Sequence, residues 1–321
     1  MNLNFLKNLN WHNDDGINLP MINDVNRNLF YEQIIKNNVA NKTCVDIGFG
    51  TGLLSLMALE HGAEKVIAYE KNYDRYLLGH YIIKQLNLES KIELLHKQFD
   101  SEQEFNKDYV YISEIVDTNL WAEGLWNVIP QYENMHMLPN NIFFELYLLP
   151  INDLLVSKLY DNNIEYFNPG VKINNQFTNL INNLIFENNF DDDVKLNKGI
   201  NVFPYQSNHD YHRLISTKKP TAYYSLDIKN NKIKIKDDYK KMNQKIDHNQ
   251  EKIELKIKRK KLNKDKLLLI PRVGLGHKNN KLYLDLACWG KVDFPVIINE
   301  VGSDLTIIHN VTDGKIEYCV G

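Results

Sequence analysis

The sequence predicts two units in succession: an α/β domain on a parallel sheet over residues 1–150, then an antiparallel β unit over residues 151–321. Three observations predict this. Up to Pro139, short apolar runs alternate with helical patterns, the signature of parallel strands joined by crossover helices. Beyond Pro139, short segments with period-two alternation follow one another, separated by Asn, Asp and Gly turns. The composition, 43% hydrophobic and 25% charged over 321 residues, suits a globular chain with one large or two medium cores.

The elements follow in order. Residues 21–38 carry Met21, Val25, Leu29 and Ile34 at helical spacing and predict a helix. TCVDI (43–47) is a short apolar strand, GFGTG follows, and LLSLMALEHGA reads as a helix ended by Gly62. KVIAYE (65–70) is the next strand and residues 73–87 the next helix. KIELLHKQF (91–99) and YVYIS (109–113) are further strands. FFELYLLPI (143–151) reads as a strand at the change of texture. TAYYSLDI, KIKIK, IELKIKRKKL, KLYLDLACW, VIINEV and DLTIIHN then alternate as antiparallel strands do, interrupted by a helical patch, FTNLINNLIF (177–186).

Bulk properties exclude several classes. A net charge of -3 gives no general attraction to nucleic acid or to a membrane surface. The three cysteines, Cys44, Cys288 and Cys319, are too few and scattered for a disulfide frame or a zinc site, and no other metal site is expected. No apolar stretch reaches the roughly 18 residues a membrane span needs. The first residues, MNLNFLKNLNWHNDD, lack the apolar region of a signal peptide, so reduced thiols and a cytoplasmic location are expected. Residues 231–266 are rich in lysine, but acidic residues are interleaved and no aromatic platform accompanies them. A solvated hairpin face accounts for them better than a nucleic-acid surface. ENNFDDD (187–193) has the composition of a calcium loop without its Gly and terminal Glu, and reads as a surface turn.

The chemistry starts at VDIGFGTG (45–52), between a strand and a helix. Gly48, Gly50 and Gly52 allow a tight turn and close approach of a ligand to the backbone. A glycine-rich turn alone would serve a dinucleotide or a purely structural end equally well. Asp46 narrows the choice, because a carboxylate there would repel a pyrophosphate and suit an ammonium. Glu70, at the end of the next strand, can accept both hydroxyls of a ribose. A nucleoside with an amino-acid tail and no phosphates fits both acids, which describes S-adenosyl-L-methionine.

VDIGFGTGLLSLMALEHGAEKVIAYE resembles the first cofactor motif of the protein arginine methyltransferases, and GINLPMINDVNR upstream is similar to that family's cofactor lid. The resemblance is strong over residues 16–150 and weak over 151–321. It implies a Rossmann-like methyltransferase domain followed by an antiparallel β-barrel-like domain, with the acceptor bound between them. It implies that Arg27, six residues after Met21, binds the cofactor carboxylate, and that Phe99 and Asp100 hold the adenine. It also implies a homodimer gripped by an arm, for which NQFTNLINNLIFENNF (175–190) is the candidate.

SEIVDTNLWAE (113–123) supplies the catalytic residues of this reading. The family carries two Glu residues nine positions apart in the loop after its fourth strand, and Glu114 and Glu123 have that spacing. The physical logic stands beside the likeness. A guanidinium is cationic and a poor nucleophile. Two carboxylates can clamp its planar fork, turn one terminal nitrogen toward a methyl donor and accept the departing proton. An apolar wall of Val116, Leu120 and Trp121 would strengthen that attraction. The texture after Glu114 is similar to the family's monomethylating branch, which implies that Asp117 narrows the pocket; a turn residue is the alternative.

Two family features are absent. Trp11 and His12 stand where a Tyr pair is expected, and no Thr-His-Trp loop is found; His277, His209 and His212 are the available substitutes. The expected partner is an arginine-containing protein or peptide, or free arginine. The alternatives are a methyltransferase of another small amine or cation, and a non-catalytic cofactor-binding paralogue that serves as a partner protein.

Overall fold

The structure, a computed structural model, describes residues 22, 24–100, 104–115, 121, 125–133, 135–150, 176, 218–258, 267–283, 296–298, 304–313 and 315–320. Helix α1 (Val25–Lys36) is capped by Asp24, whose side chain accepts a hydrogen bond from the Arg27 amide at 3.0 Å. The continuous apolar run of β1 (Thr43–Ile47) places it in the middle of a five-stranded parallel sheet, between β2 (Lys65–Tyr69) and β4 (Val110–Ser113). β3 (Ile92–Leu95) and β5 (His136–Leu138) form the edges, giving the order β3-β2-β1-β4-β5. Helices α2 (Leu53–Glu60) and α3 (Tyr73–Gln85) make the crossovers, and Asn72 caps α3 through the Arg75 amide. A short helix α4 (Leu125–Val128) and a 3-10 turn (Ile129–Tyr132) precede β5.

Pairing changes from parallel to antiparallel between β5 and β6 (Asn141–Pro150). β6 lies between β7 (Ala222–Asp227) and β11 (Leu267–His277) in a seven-stranded sheet that also holds β8 (Lys232–Lys236), β9 (Lys241–Lys245), β12 (Asn280–Tyr283) and β13 (Val296–Ile298). A three-stranded sheet, β10 (Lys252–Ile257), β14 (Leu305–Asn310) and β15 (Ile316–Val320), packs with it. The alternation expected of these strands is visible as burial: Ile233 and Ile235 point inward while Lys232, Lys234 and Lys236 face solvent. One continuous core runs from Tyr31 and Ile34 through the parallel sheet to Tyr224 and Ile307. No helix among the described residues is long and apolar enough to cross a membrane. The fold class expected from the sequence, a Rossmann-like parallel sheet followed by an antiparallel β domain, is the one observed.

Residues 151–175 and 177–217 hold the expected helical patch, most of the arm, ENNFDDD, His209 and His212, and they lie outside the described residues, as do Trp11, His12, Met21 and Cys288.

Candidate active site

A cavity of about 460 Å³ opens at the C-terminal ends of β1, β2 and β4, where ligands of open parallel sheets bind. The turn after β1 forms its floor. Gly48 and Gly52 have φ of 89° and 82°, in the left-handed region that disfavours any other residue. A Cβ on Gly52 would come within 2.5 Å of the Phe49 ring, whereas one on Gly48 would meet only Ile115 Cγ2 at 4.0 Å. Gly48 therefore keeps the cradle itself open. Gly50 lines the same turn, and its amide donates to Glu70 Oε2 at 3.0 Å. The second oxygen of Glu70 accepts from the Asn72 amide at 2.8 Å, so this buried carboxylate ties the glycine turn to the start of α3. Each oxygen keeps a further lone pair for a hydroxyl donor. Phe99 lies on the cavity wall, edge-on to Tyr69 at 5.2 Å. Asp100 follows it, and its amide is held by Glu104 Oε2 at 3.1 Å.

Asp46 is placed differently from the other acids. It is buried beneath the turn and is not part of the cavity wall. The Ser55 hydroxyl donates to its Oδ2 at 2.6 Å, and Oδ1 has no hydrogen-bond partner among the described residues. Burial, opposed by the Ser55 bond, pushes the carboxyl up to about 7.

Arg27 and Glu114 meet at the other end of the cavity. The Nε of Arg27 donates to Glu114 Oε2 at 3.0 Å, and Nη2 donates to the same oxygen. Nη1 donates to Asn28 Oδ1 at 3.1 Å, and the guanidinium lies over the Tyr31 ring. Glu114 Oε1 is buried and has no hydrogen-bond partner among the described residues. Burial raises the Glu114 carboxyl, and the Arg27 charge and hydrogen bonds pull against that rise. Burial alone would lower Arg27, but the Glu114 carboxylate carries it upward. The backbone under Glu114 is fixed as well, because the Tyr31 hydroxyl donates to the Ser113 carbonyl at 3.1 Å. Two buried acids, one pushed up beneath the turn and one ion-paired on the wall, are the kind of perturbed set that marks a reactive pocket.

Of the expected site residues, the structure brings Arg27, Gly48, Gly50, Glu70, Phe99 and Glu114 to one cavity and sets Asp46 just beneath it. Glu123 and Asp117 lie outside the described residues. Trp121 is fully buried and points into the β domain, where its indole donates to the Tyr224 hydroxyl at 3.0 Å. Tyr224 in turn bonds His309 Nδ1 at 2.7 Å. His277 ends β11 near His136, the first residue of β5, whose charge acts on its ring. That is the N-terminal end of the parallel strands, opposite the cavity. Burial and the neighbouring Lys278 push its ring down to about 4.

Sequence reading missed Tyr31, Asn28, Tyr224 and His309. A signal for the last two was present. The alternation in AYYSLD and LTIIHN puts Tyr224 and His309 on the inward faces with Leu226 and Ile307, so both are polar groups at core positions.

No protein-family model matches the chain. Protein arginine N-methyltransferase 9 of Xenopus laevis is 36% identical over 126 residues, 37% of this chain and 15% of that protein. Protein arginine N-methyltransferase 6 of Danio rerio is 30% identical over 159 residues, 47% of this chain and 45% of that protein. The matches thus span less than half of either relative's length. A crystal structure of PRMT6-SAH superposes with a TM-score of 0.56 at 12% identity, covering 94% of this chain and 98% of that one. The chain is thus similar in sequence to protein arginine N-methyltransferases over less than half of its length, and similar in fold to one over nearly all of it.

Proposed function

We propose that the chain is an S-adenosyl-L-methionine-dependent methyltransferase acting on a guanidino nitrogen of arginine, in a protein or as the free amino acid. The observation that carries this reading is Glu114. One carboxylate oxygen is fixed by Arg27, while the other is buried and has no partner among the described residues, on the wall of the cavity that holds Gly48, Glu70 and Phe99. An unpaired buried carboxylate oxygen costs about 1–3 kcal/mol until a donor reaches it. A guanidinium supplies a planar fork of cationic donors.

The cofactor suits the residues present. The Gly48 cradle admits a ligand against the backbone, and the lone pairs that the two amides leave on Glu70 would accept the hydroxyls of a vicinal diol. Phe99 offers an apolar edge for a base, with Asp100 beside it. When bound, S-adenosyl-L-methionine would supply a methyl group made electrophilic by its sulfonium. The chain's own residues do the rest. Glu114 Oε1 accepts one N–H of the acceptor, and Glu123 supplies the second arm of the clamp in this reading. The pair turns one terminal nitrogen into the cavity and holds its charge in a low-dielectric site, where the attraction exceeds that in water. Arg27 favours the ionised form of Glu114 against the effect of burial and fixes its rotamer. The burial that raises Glu114 also makes it a better acceptor of the proton the nitrogen loses.

Finer points belong to the same proposal. Asp117 narrows the pocket so that transfer stops at one methyl group. The protein works in the cytoplasm and as a homodimer; the exposed apolar side chains of Val25 and Leu29 on α1 support the dimer.

Radiolabelled S-adenosyl-L-methionine, given in parallel with free arginine and an Arg-Gly-rich peptide, tests the reaction. Label should pass to one of them, with monomethylarginine as the only product on hydrolysis. Transfer to neither, with cofactor binding intact, would remove arginine as the acceptor. Light scattering at micromolar concentration tests the assembly, and an active monomer would overturn the dimer.

A further inference from the structure

Trp121, Tyr224 and His309 form a hydrogen-bonded line that the proposed transfer step does not use. Trp121 belongs to the loop that carries the two glutamates, seven residues after Glu114 and two before Glu123. Tyr224 is on β7 of the seven-stranded sheet, and His309 is on β14 of the three-stranded sheet. Their relative exposures are 0%, 0% and 1%, so all three polar groups are withdrawn from water.

The direction of the line follows from the chemistry of its members. An indole N–H can only donate, so it donates to the Tyr224 oxygen at 3.0 Å. With His309 in the tautomer that carries its proton on Nε2, the hydroxyl gives its one hydrogen to Nδ1, 2.7 Å away, and the three groups form one directed line. The rings are packed as tightly as they are bonded. Trp121 and Tyr224 lie within 9° of parallel at 6.4 Å, Trp126 meets Trp121 edge-on at 5.1 Å, and Phe144 lies 4.6 Å from His309.

Three apolar side chains could fill this volume at similar stability, because a buried polar group contributes little beyond satisfying its own desolvation. What the polar line adds is direction. Each bond is satisfied only when the loop, β7 and β14 hold one mutual position, and an aromatic trio without hydrogen bonds would tolerate sliding. We infer that Trp121, Tyr224 and His309 are positioning residues that lock the glutamate loop against both sheets of the β domain and so set the reach of its carboxylates toward the acceptor. The inference rests on the proposed methyl transfer for its functional consequence, but not for its structural one. None of the three residues lines the cofactor cavity, so cofactor binding should be indifferent to them.

Tyr224→Phe tests the line, because it keeps the ring and removes both hydrogen bonds. Amide hydrogen exchange of the segment 114–126, with S-adenosylhomocysteine present, should speed up by about tenfold or more as the staple loosens. Turnover on the arginine acceptor should fall by about tenfold or more, with the Kd for S-adenosylhomocysteine kept within about twofold, since small displacements of positioned groups cost rate. Trp121→Phe combined with Tyr224→Phe should be little worse than either alone, as expected for members of one network. His309→Asn, which keeps an acceptor near the Nδ1 position, should hold exchange and turnover near wild type, whereas His309→Leu should behave like Tyr224→Phe. If a folded Tyr224→Phe protein loses only melting temperature, with exchange in 114–126 and turnover both unchanged, the line is packing and the inference falls. It falls equally if the Kd for S-adenosylhomocysteine rises in step with the lost turnover. The exchange readout needs no acceptor. A wild-type protein that methylates no arginine substrate, yet whose loop loosens in Tyr224→Phe, would therefore sink the proposed function and leave the lock standing.

Discussion

β1 is buried at four of its five positions, whereas β8 alternates an exposed Lys with a buried Ile along its whole length. The contrast holds between the central strands of the two sheets: β4 is buried throughout, whereas β7 and β14 alternate, and among the parallel strands the edge strand β3 alternates as well. A strand covered on both faces is mostly apolar, so a buried polar group such as Asp46 stands out, and the turns at its end bring particular groups to one place. A strand with one wet face needs only a period of two, which many unrelated sequences supply. The likeness in sequence to arginine methyltransferases accordingly covers less than half of the chain, while the likeness in fold covers nearly all of it. Chemistry is written in specific residues around the parallel sheet. The β domain is written mostly in a pattern, with Tyr224 and His309 as local exceptions.

The largest expected effect would break this comparison most directly if it failed. Glu114→Gln keeps the shape of the side chain and removes its charge, leaving Arg27 without its counter-ion and the acceptor without a clamp. Turnover should fall by about a hundredfold or more, the range for losing a charge-assisted contact in a desolvated site, with cofactor affinity largely retained. Glu93→Gln is the control, because Glu93 is an exposed partner of Lys65 on β3. Glu104 would be a poor control, since its carboxylate holds the Asp100 amide and pairs with Lys97. Near-normal turnover in Glu114→Gln would make the site residue no more specific than a lysine of β8.

Arg27→Gln should come next. Arg27 lowers the Glu114 carboxyl against the rise that burial causes. Without it, Glu114 protonates at higher pH, so the acid limb of the pH–rate profile should move upward at saturating cofactor. A profile that keeps its limb while turnover drops would show that Arg27 serves binding alone.

The parallel sheet, its crossover helices and the glycine turn were legible because continuous apolar runs and the Gly48–Gly52 spacing leave few alternatives. Glu114 and Glu70 were legible as acids in apolar surroundings. The direction of Asp46 was not, since it depends on Ser55, a residue one helical turn into α2 whose hydroxyl no local pattern marks. Nor was the Arg27–Glu114 pair, which joins residues 87 positions apart. The histidine that reaches the glutamate loop could not be chosen from sequence either. His277 looked as suitable as any, but its pairing with β12 leaves it beside His136 at the N-terminal end of β5, away from the cavity.

Asp46→Asn addresses stability within the same turn. The folded carboxyl is pushed up to about 7 from an ordinary 3.8, so between those limits the folded state holds a proton that the unfolded chain has released. That contribution is complete below pH 3.8 and is lost as pH rises through 7. Removing the titration should flatten stability over this window and stabilise the protein above pH 7 by a few kcal/mol at most, the order that a shift of this size implies. Denaturant melts at pH 5 and pH 8 check it, and a wild-type protein more stable at pH 8 than at pH 5, with the same trend in Asp46→Asn, would contradict the assignment.

The smallest effect is expected on the wet face of the β domain, and it completes the comparison. Lys232, Lys234 and Lys236 are exposed on β8, opposite Asp227, Ser225 and Tyr223 of β7. Lys234 and Lys236 lie 5.6 and 6.0 Å from the Tyr223 ring, distances at which an exposed cation–π contact is worth about 0.5–1 kcal/mol at best. Lys232 stands across from Asp227 in the register, but the Asp227 carboxylate is taken up by Asn230, and an exposed charge neighbour of this kind contributes about 0–1 kcal/mol. Their inward neighbours Ile233 and Ile235 carry the strand's share of the core and are left alone. Changing all three lysines to Gln should therefore move stability by about 1 kcal/mol or less and leave turnover on free arginine unchanged. Repeating the assay with a longer acidic acceptor separates the two uses of such a face. Equal turnover would mark it as a solvated surface, whereas a rise in KM confined to the acidic acceptor, abolished at high salt, would give these lysines a part in acceptor capture and narrow the contrast between the two sheets.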